Sequence, residues 1–433
     1  MSALPPETHA PSGPRFAWIA SRRDDLLWYI GSAGAGWLYA LLVLILGSGL
    51  ERPEYDPIWT LPLGSLQVPV TLTLLVFSSW AFLLDGPHLW ATLGRTFLDP
   101  DERLERGGIL RSSFQWFLVG PATIFFPLLI FCLMAAVHKQ GPQWLPALGT
   151  PLFYFLFRLW AYYHVVRQHW GFFRLYKLRA GEKDPRVEKA DLWFFRIAFY
   201  TPLGLFLAAP WYPLPSGGYP DLGLNAPLPG GFTIGGILRP ALWLLLLGAA
   251  VWYARFQYQE YRKGAPLNGA KLLLLAVTVP LHVATLTNPL LALFAIPLIT
   301  AGHNLQYHRI VWGYARKKYF GGRGEIVKRE KYAAARRVFS RPLTYWAFGL
   351  AFTFFLFRSP WTKWLQENLG AFLDKTLIAG TLHFGGLPTQ GFFLGEALFA
   401  SFLIGWSLQH YYLDAYIWRV SRDEKVRENL GIP

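Results

Sequence analysis

The sequence is poor in two residue classes on which many soluble and secreted proteins rely. Among 433 residues there is one cysteine, Cys132, and it lies inside an apolar run. A single cysteine excludes disulfides within the chain and metal sites built from several cysteines. Only 15% of the residues are charged, whereas about 25% is usual in soluble globular domains. A disulfide-rich secreted domain and an ordinary soluble enzyme are therefore both excluded.

Several well-known catalytic signatures are missing as well. The chain contains no G-x-x-x-x-G-K-[ST], no G-x-S-x-G and no H-E-x-x-H, the patterns of phosphate-binding loops, serine hydrolases and zinc proteases. It also has no flavin or nicotinamide fingerprint, so a redox reaction would need a separate electron donor. Residues 1–25 are polar and proline-rich without the short apolar core of a signal peptide. We predict that they form a cytoplasmic tail.

Apolar and aromatic residues dominate the chain. Hydrophobic residues make up 53% of it, and 20 tryptophans and 21 tyrosines could form belts at two membrane interfaces. The apolar runs approach the roughly 20 residues that a helix needs to cross a bilayer. We predict an all-α, polytopic membrane helical bundle of about ten transmembrane helices. The ten predicted spans are 26–48, 67–86, 114–137, 145–168, 192–212, 236–254, 270–286, 288–308, 343–360 and 390–412.

Basic residues follow the even-numbered spans and therefore predict the orientation. The segment 309–341, which follows the eighth span, holds eleven Lys/Arg against two Glu, whereas the loops after odd-numbered spans are nearly free of Lys and Arg. Positive loops stay in the cytoplasm, so both termini and the loop 309–341 are expected there. The predicted organisation is a tail over 1–25, a membrane domain over 26–418 that includes this basic loop, and a cytoplasmic tail over 419–433.

The net charge of +15 has the same explanation. Cationic loops facing an anionic lipid leaflet account for it without nucleic acid as a partner. We predict an integral multi-pass protein of a bacterial inner membrane, with membrane lipid as its surroundings. Residues 361–389, which contain Asp374 and Lys375 among apolar residues, are predicted to be either interfacial or re-entrant.

Six of the ten histidines fall at the predicted inner ends of four spans. Ionisable side chains are costly inside a membrane and usually face the bundle interior, where they pair or line a functional site. Imidazole and carboxylate together suit iron, manganese or zinc. The sequence therefore predicts a metal site at which four helices converge. The candidate ligands are His88, His164, His169, His303, His308, His410, Asp85 and Asp414.

Spacing refines this prediction. His410 and Asp414 are four residues apart and share a helix face. The pairs His164/His169 and His303/His308 have the spacing H-x4-H, which on an ideal helix separates the rings by about 140°. Such a pair can flank a metal pair, or it can converge through a π-bulge.

Neighbouring polar residues have candidate roles. Gln168, Gln306, Gln409 and Asn304 could orient the imidazoles. Arg167 and Arg309 could pair with Asp85 or Asp414, or bind lipid headgroups. Outside the cluster, His282 is predicted to be a hydrogen-bonded packing or lining residue, His138 and His383 to be interfacial, and His9 to lie in the tail.

These histidine motifs resemble those of the histidine-rich integral membrane di-iron enzymes, which include fatty-acid desaturases, membrane hydroxylases and alkane hydroxylases. His164/His169 and His303/His308 match their H-x4-H boxes, although the chain has no adjacent His-His pair. The segment DGPHLWATLG around His88 is similar to the PHG-type segment of the Brp/Blh carotene-cleaving oxygenases. The resemblance implies two non-haem irons, O2 activation, an apolar substrate that enters from the bilayer, and a separate electron donor.

Two other classes stay open at this point. A transporter could use the histidines to relay protons or to bind a transported metal, and Pro280, Pro289 and Pro297 are compatible with its broken helices. A haem protein could use two histidines from different helices as axial ligands. Another divalent metal in place of iron is also compatible with the ligand types.

Overall fold

The computed structural model describes residues 13–119, 122, 144–214, 221–321, 329–358, 394–420 and 422–432, with the backbone alone at 144–154 and 394–402. His9, Cys132, His138, His383 and the stretch 361–389 lie outside the described residues. The described chain is mainly helical, which confirms the predicted all-α class.

The helices follow one another with short connections. The first one, α1, is preceded by a helical turn at Arg22–Asp24 and a π-helical turn at Asp25–Ile30. The helices are α1 (Ala33–Gly47), α2 (Gly86–Phe97), α3 (Pro100–Glu105), α4 (107–119), α5 (Trp144–Ala180), α6 (Pro185–Leu207), α7 (Ile234–Arg262), α8 (Gly269–Thr287), α9 (Pro289–Leu293), α10 (Ala295–Phe320), α11 (Ala333–Val338), α12 (Pro342–Phe352), α13 (Leu394–Ile417) and α14 (Glu424–Leu430).

One β-hairpin interrupts this pattern. Strands β1 (Pro57–Leu63) and β2 (Leu66–Thr71) pair antiparallel around Gly64, which adopts a positive φ of 64°. Glycine suits this turn because it carries no Cβ that would clash in the left-handed region. The second predicted span, 67–86, therefore begins as a strand, and its helix starts only at residue 72.

Local signals set several helix boundaries. Thr233 and Asn268 cap α7 and α8, since each side-chain oxygen accepts a hydrogen bond from a backbone N–H of the first turn. Proline at the start of α6 fits there because the first helical N–H needs no intrahelical partner. The predicted span 270–286 agrees with α8 to within one residue at each end, whereas α6 begins at residue 185 instead of 192 and α7 continues to residue 262 instead of 254.

Within the described part of the chain, three helices are long and apolar enough to cross a membrane: α6, α7 and α8. A fourth candidate is the pair formed by Arg22–Ile30 and α1, which is bent by 42°. Helix α7 presents its large apolar side chains outward, with Leu244 73% and Val251 70% exposed, as expected for a helix in contact with lipid. The ten spans and the cytoplasmic termini remain predictions.

The segment 309–341 is not a simple loop. Helix α10 continues through it to Phe320, and α11 forms a second helical piece. Tyr314 and Tyr319 are only 1% and 0% exposed, because this part of α10 packs into the bundle. A basic composition does not prevent a helix from extending beyond an apolar span, and the cytoplasmic placement of 309–341 stays a prediction.

The predicted tails also pack on the body of the protein. Ile19 is 4% exposed, and the backbone of Arg15 pairs with that of Asn268 at the start of α8. At the other end, Val426 and Ile432 are buried, and Lys317 on α10 donates to the backbone oxygen of Glu428. Both termini therefore belong to the folded unit within the described residues.

Candidate metal centre

Four helices bring polar side chains together in the interior. His88 comes from α2, His164 from α5, His303 from α10, and His410 with Asp414 from α13. All five are buried, with at most 8% of each residue exposed. The predicted convergence of four helices is therefore present for one histidine from each of them.

These five residues form two groups of three that could each hold a metal ion. One group is His88, His164 and His303; the other is His164, His410 and Asp414. Within each group the ligand atoms lie within 4.8 Å of one another. His164 belongs to both groups, so the two candidate positions are adjacent.

The His88 and His410 rings test whether a metal fits. Their Nε2 atoms are 2.9 Å apart. The two rings belong to different groups, and imidazole nitrogens bind metals such as zinc at about 2.0–2.1 Å. Such a short separation therefore places the two candidate positions side by side.

Available ring nitrogens give a second test. Nδ1 of His88 and Nδ1 of His303 are buried and have no hydrogen-bond partner among the described residues. A buried polar atom without a partner costs about 1–3 kcal/mol, which a bound ion would offset at a nitrogen that faces it. The donor set and these free nitrogens fit a metal, and the ligand types do not by themselves select which one.

Hydrogen bonds from neighbouring polar groups orient the ligands of the second group, His164, His410 and Asp414. The Thr92 hydroxyl lies 2.7 Å from Nδ1 of His410, which leaves Nε2 facing the centre. Asp414 Oδ1 accepts hydrogen bonds from Thr92 at 3.0 Å and from the Tyr307 hydroxyl at 2.6 Å. Gln168 donates to Asp414 Oδ2 at 2.6 Å and lies 3.0 Å from Nε2 of His164. Such partners orient metal ligands.

The predicted roles of other neighbours are met in part. Gln168 orients the ligands as expected, whereas the amide of Gln409 donates to Ser113 and that of Gln306 to the backbone oxygen of Tyr29. Arg309 pairs with Asp24 at 2.9 Å rather than with either predicted aspartate. Thr92 and Tyr307 were not predicted, because nothing in the sequence places them beside Asp414.

The second histidine of each H-x4-H pair lies at the flank of the cluster. The His169 ring centroid is 6.3 Å from that of His303, and the His308 centroid is 6.3 Å from that of His88. His308 instead bonds through Nδ1 to the Tyr345 hydroxyl at 2.8 Å. Both segments are regular α-helix without a π-bulge, so the rings diverge as the 140° spacing requires.

His282 belongs to the same row of histidines. Its ring is 5.6 Å from that of His169, and its Nδ1 lies 3.1 Å from the Tyr162 hydroxyl. The hydrogen bond agrees with the predicted packing role, but the proximity to the cluster was not foreseen. Its position in the middle of an apolar span is a signal that could have indicated this proximity, and the ring lies outside both ligand groups.

Asp85 does not join either ligand group. It forms an ion pair with Arg358 at 3.1 Å, and it lines a cavity that the histidines also reach. Its prediction as a ligand rested on being three residues from His88. The π-helical turn Ala81–Asp85 that precedes α2 changes the angular relation between the two residues.

Two cavities meet at the centre. The smaller, about 360 Å³, touches four of the histidines and is otherwise walled mainly by apolar side chains such as Phe77, Trp80 and Leu403. The larger, about 910 Å³, lies on the side of the C-terminal segment and reaches Asp414. His164 and Tyr411, whose rings stack at 4.2 Å, line both cavities.

No protein-family model, no curated protein and no solved structure matches the chain. The arrangement of these residues is therefore the basis for assigning a function.

Proposed function

We propose that the protein is an integral membrane oxidoreductase with a non-haem metal centre, which oxidises, desaturates or hydroxylates an apolar, lipid-like substrate. The observation that carries the proposal is the pair of ligand groups that share His164 and open onto an apolar cavity. Two adjacent ions, which we assign as iron, match this arrangement of imidazoles and one carboxylate.

The residues divide into two sets of ligands. His88 and His303 would hold one ion, His410 and Asp414 the other, and His164 lies between them. Bound iron would supply the activation of O2. Thr92 and Tyr307 fix the carboxylate, and the protein thereby keeps the ligands in place without rearrangement.

The apolar cavity supports the choice of substrate. Its walls exclude water and offer an alkyl or polyene chain contact with Phe77, Trp80 and Leu403, directly beside the histidines. Helices α6, α7 and α8 are long and apolar enough to cross a bilayer, so such a substrate can arrive from surrounding lipid. We place the protein as a multi-pass protein in a bacterial inner membrane, with the predicted ten spans.

A separate electron donor completes the proposal. The basic segment 309–341 gives the protein a positive surface on which an acidic donor protein can dock. Arg316 and Lys317 lie there at the end of α10, the helix that carries His303.

The deciding experiment is the metal content and visible spectrum of the detergent-purified protein. We expect about two non-haem irons per chain in the wild type and none in His164→Ala, because both ligand groups lose a member. The matched control is His282→Ala, which removes a buried histidine outside both groups and should leave the metal content unchanged. A Soret band, or a wild-type protein that binds no metal after reconstitution, would refute the proposal.

A second candidate is a transporter that relays protons or metal ions. The observation in its favour is that two cavities meet at His164 and Tyr411, as expected for a path interrupted by a binding layer. A bis-His haem has less support, because four histidines converge rather than two facing ones. Uptake of a metal or of protons by proteoliposomes would favour the transporter.

A further inference from the structure

The larger cavity differs from the apolar one in its charge. It lies between the second half of α5, the end of α13 and the C-terminal segment that includes α14. Five arginines line it, and the single acidic residue in its wall is Asp414. The arginines are Arg167, Arg174, Arg419, Arg422 and Arg427.

Asp414 can offset at most one of these five positive charges. Its carboxylate accepts hydrogen bonds from Thr92, Tyr307 and Gln168, and it faces the histidines. The cavity therefore holds a strong excess of positive charge, which attracts an anion.

Most of the guanidinium groups keep donors free for a ligand. In the described part of the chain, Arg167 and Arg422 have no carboxylate within ion-pair distance. Arg174 and Arg427 approach a glutamate only at 3.8 Å and 3.7 Å, longer than a hydrogen bond. Arginine presents several N–H donors in a planar fork that matches the oxygens of a phosphate.

Aromatic side chains make up much of the remaining wall. Trp116 and Trp160 pack edge to face at 5.5 Å, and Trp116 also stacks on Tyr412 at 5.8 Å. At its inner end the cavity reaches His164 and Tyr411, which also line the apolar cavity. A ligand with an anionic end and an apolar chain would find matching surroundings for both parts along this line.

We propose that this cavity binds the phosphate group of an anionic amphiphile. Arginines from α5 and from the C-terminal segment hold the phosphate, and the apolar chain points toward the histidine cluster. A phospholipid headgroup and a soluble phosphate compound share this chemistry, and the aromatic wall that leads to the apolar cavity favours the lipid. The link to catalysis depends on the proposed function, whereas the binding itself does not.

The test uses full-length protein in a neutral detergent and three probes: dihexanoyl phosphatidic acid, dihexanoyl phosphatidylcholine and inorganic phosphate. Binding is measured by isothermal titration calorimetry. We expect phosphatidic acid to bind more tightly than the zwitterionic lipid. In the double variant Arg167→Gln/Arg422→Gln its affinity should fall about tenfold or more, because two charge-assisted contacts are lost.

The matched control is Arg22→Gln/Arg23→Gln, which removes the same charge from two exposed arginines outside the cavity and should leave binding unchanged. Inorganic phosphate that binds as tightly as phosphatidic acid would identify a soluble phosphate as the source. Equal affinity for the two lipids, or an unchanged affinity in the cavity variant, would overturn the proposal. Metal content, measured on the same samples, separates this inference from the proposed function: the cavity variant should keep its metal.

Discussion

Two of the buried polar clusters among the described residues differ in how their polar groups are paired. Around Asp191, on α6, every charge has a partner: Lys177 and Lys271 both contact its carboxylate, and the Tyr253 hydroxyl donates to it at 2.6 Å. Around His164 the ligand groups bring imidazoles close together while several ring nitrogens stay without partners. A cluster whose polar atoms are all paired stabilises the fold, whereas a cluster with unpaired polar atoms can still bind a ligand through them.

The largest expected effect separates the two clusters by function. His164→Ala removes the ligand shared by both groups, so we expect complete loss of bound metal and of any metal-dependent activity. The protein should still fold, because among the described residues the ring bonds to the neutral amide of Gln168 at 3.0 Å and lies 3.9 Å from the Asp414 carboxylate, so no close ion pair is lost. Metal analysis together with size-exclusion chromatography checks this, and a metal content equal to that of the wild type would contradict the shared-ligand arrangement.

The next effect concerns stability alone. Asp191→Ala removes the fully buried carboxylate that Lys177 and Lys271 share. Glu188 still contacts Lys177 at 2.8 Å, and Glu182 still contacts Lys271 at 2.7 Å. Removing one partner of a buried ion pair typically costs about 3–5 kcal/mol, and the two remaining glutamates reduce this cost. We expect a large drop in the thermal unfolding midpoint, with an unchanged metal-to-protein ratio in the fraction that stays folded. A loss of metal without a loss of stability would show that the two clusters are not separate in role.

A smaller effect is expected beside the metal ligands. Thr92→Val removes the hydroxyl that lies against His410 and Asp414 but keeps the side-chain shape. Loss of such a partner typically weakens metal binding about 10- to 100-fold. Competition with a chelator measures this shift, and the buried Thr278→Val, which loses only a bond to the backbone of Leu274, is the control with no expected change.

The smallest effect belongs to a third, more exposed cluster. Burial alone would raise the pKa of Asp101, but hydrogen bonds from Lys331 and from the Tyr332 hydroxyl outweigh it and lower the pKa to about 2. A depressed pKa stabilises the fold above the unfolded value of 3.8, and this contribution is lost as pH falls toward 2. We expect Asp101→Asn to lose this pH dependence, which amounts to about 1 kcal/mol or less in the free energy of unfolding between pH 5 and pH 2.5. Thermal unfolding of both proteins at the two pH values measures the difference.

The sequence predicted the convergence of His88, His164, His303 and His410 because ionisable residues at helix ends are informative in an apolar chain. It also predicted the carboxylate of Asp414 from its spacing to His410. It could not predict the partners that come from distant helices. Arg358 forms an ion pair with Asp85. Thr92 and Tyr307 donate hydrogen bonds to Asp414. These pairings depend on how the helices are rotated about their axes.

The number of spans was harder to predict for a related reason. Helices that carry the cluster are less apolar than those around it, since α10 contains Asn304, Gln306 and Arg309 within its length. Hydropathy therefore identifies α6, α7 and α8 most clearly, and these helices contribute none of the five central residues. Polar residues that build a site lower the hydropathy of the helix that carries them, so such a helix is harder to recognise as a membrane span.

The π-helical turn before α2 has a consequence for how the chain tolerates insertions and deletions. A π-helical turn accommodates one residue more than an α-helical turn, and the turn Ala81–Asp85 ends just before His88. Because the extra residue is absorbed within the turn, the helix on either side keeps its orientation. Deleting one residue there would restore regular winding and leave Phe77 and Trp80 on the apolar cavity, whereas the same deletion in a regular helix rotates the two flanks by about 100° relative to each other. This short stretch can therefore change in length by one residue while the wall of the cavity beside His88 keeps its shape.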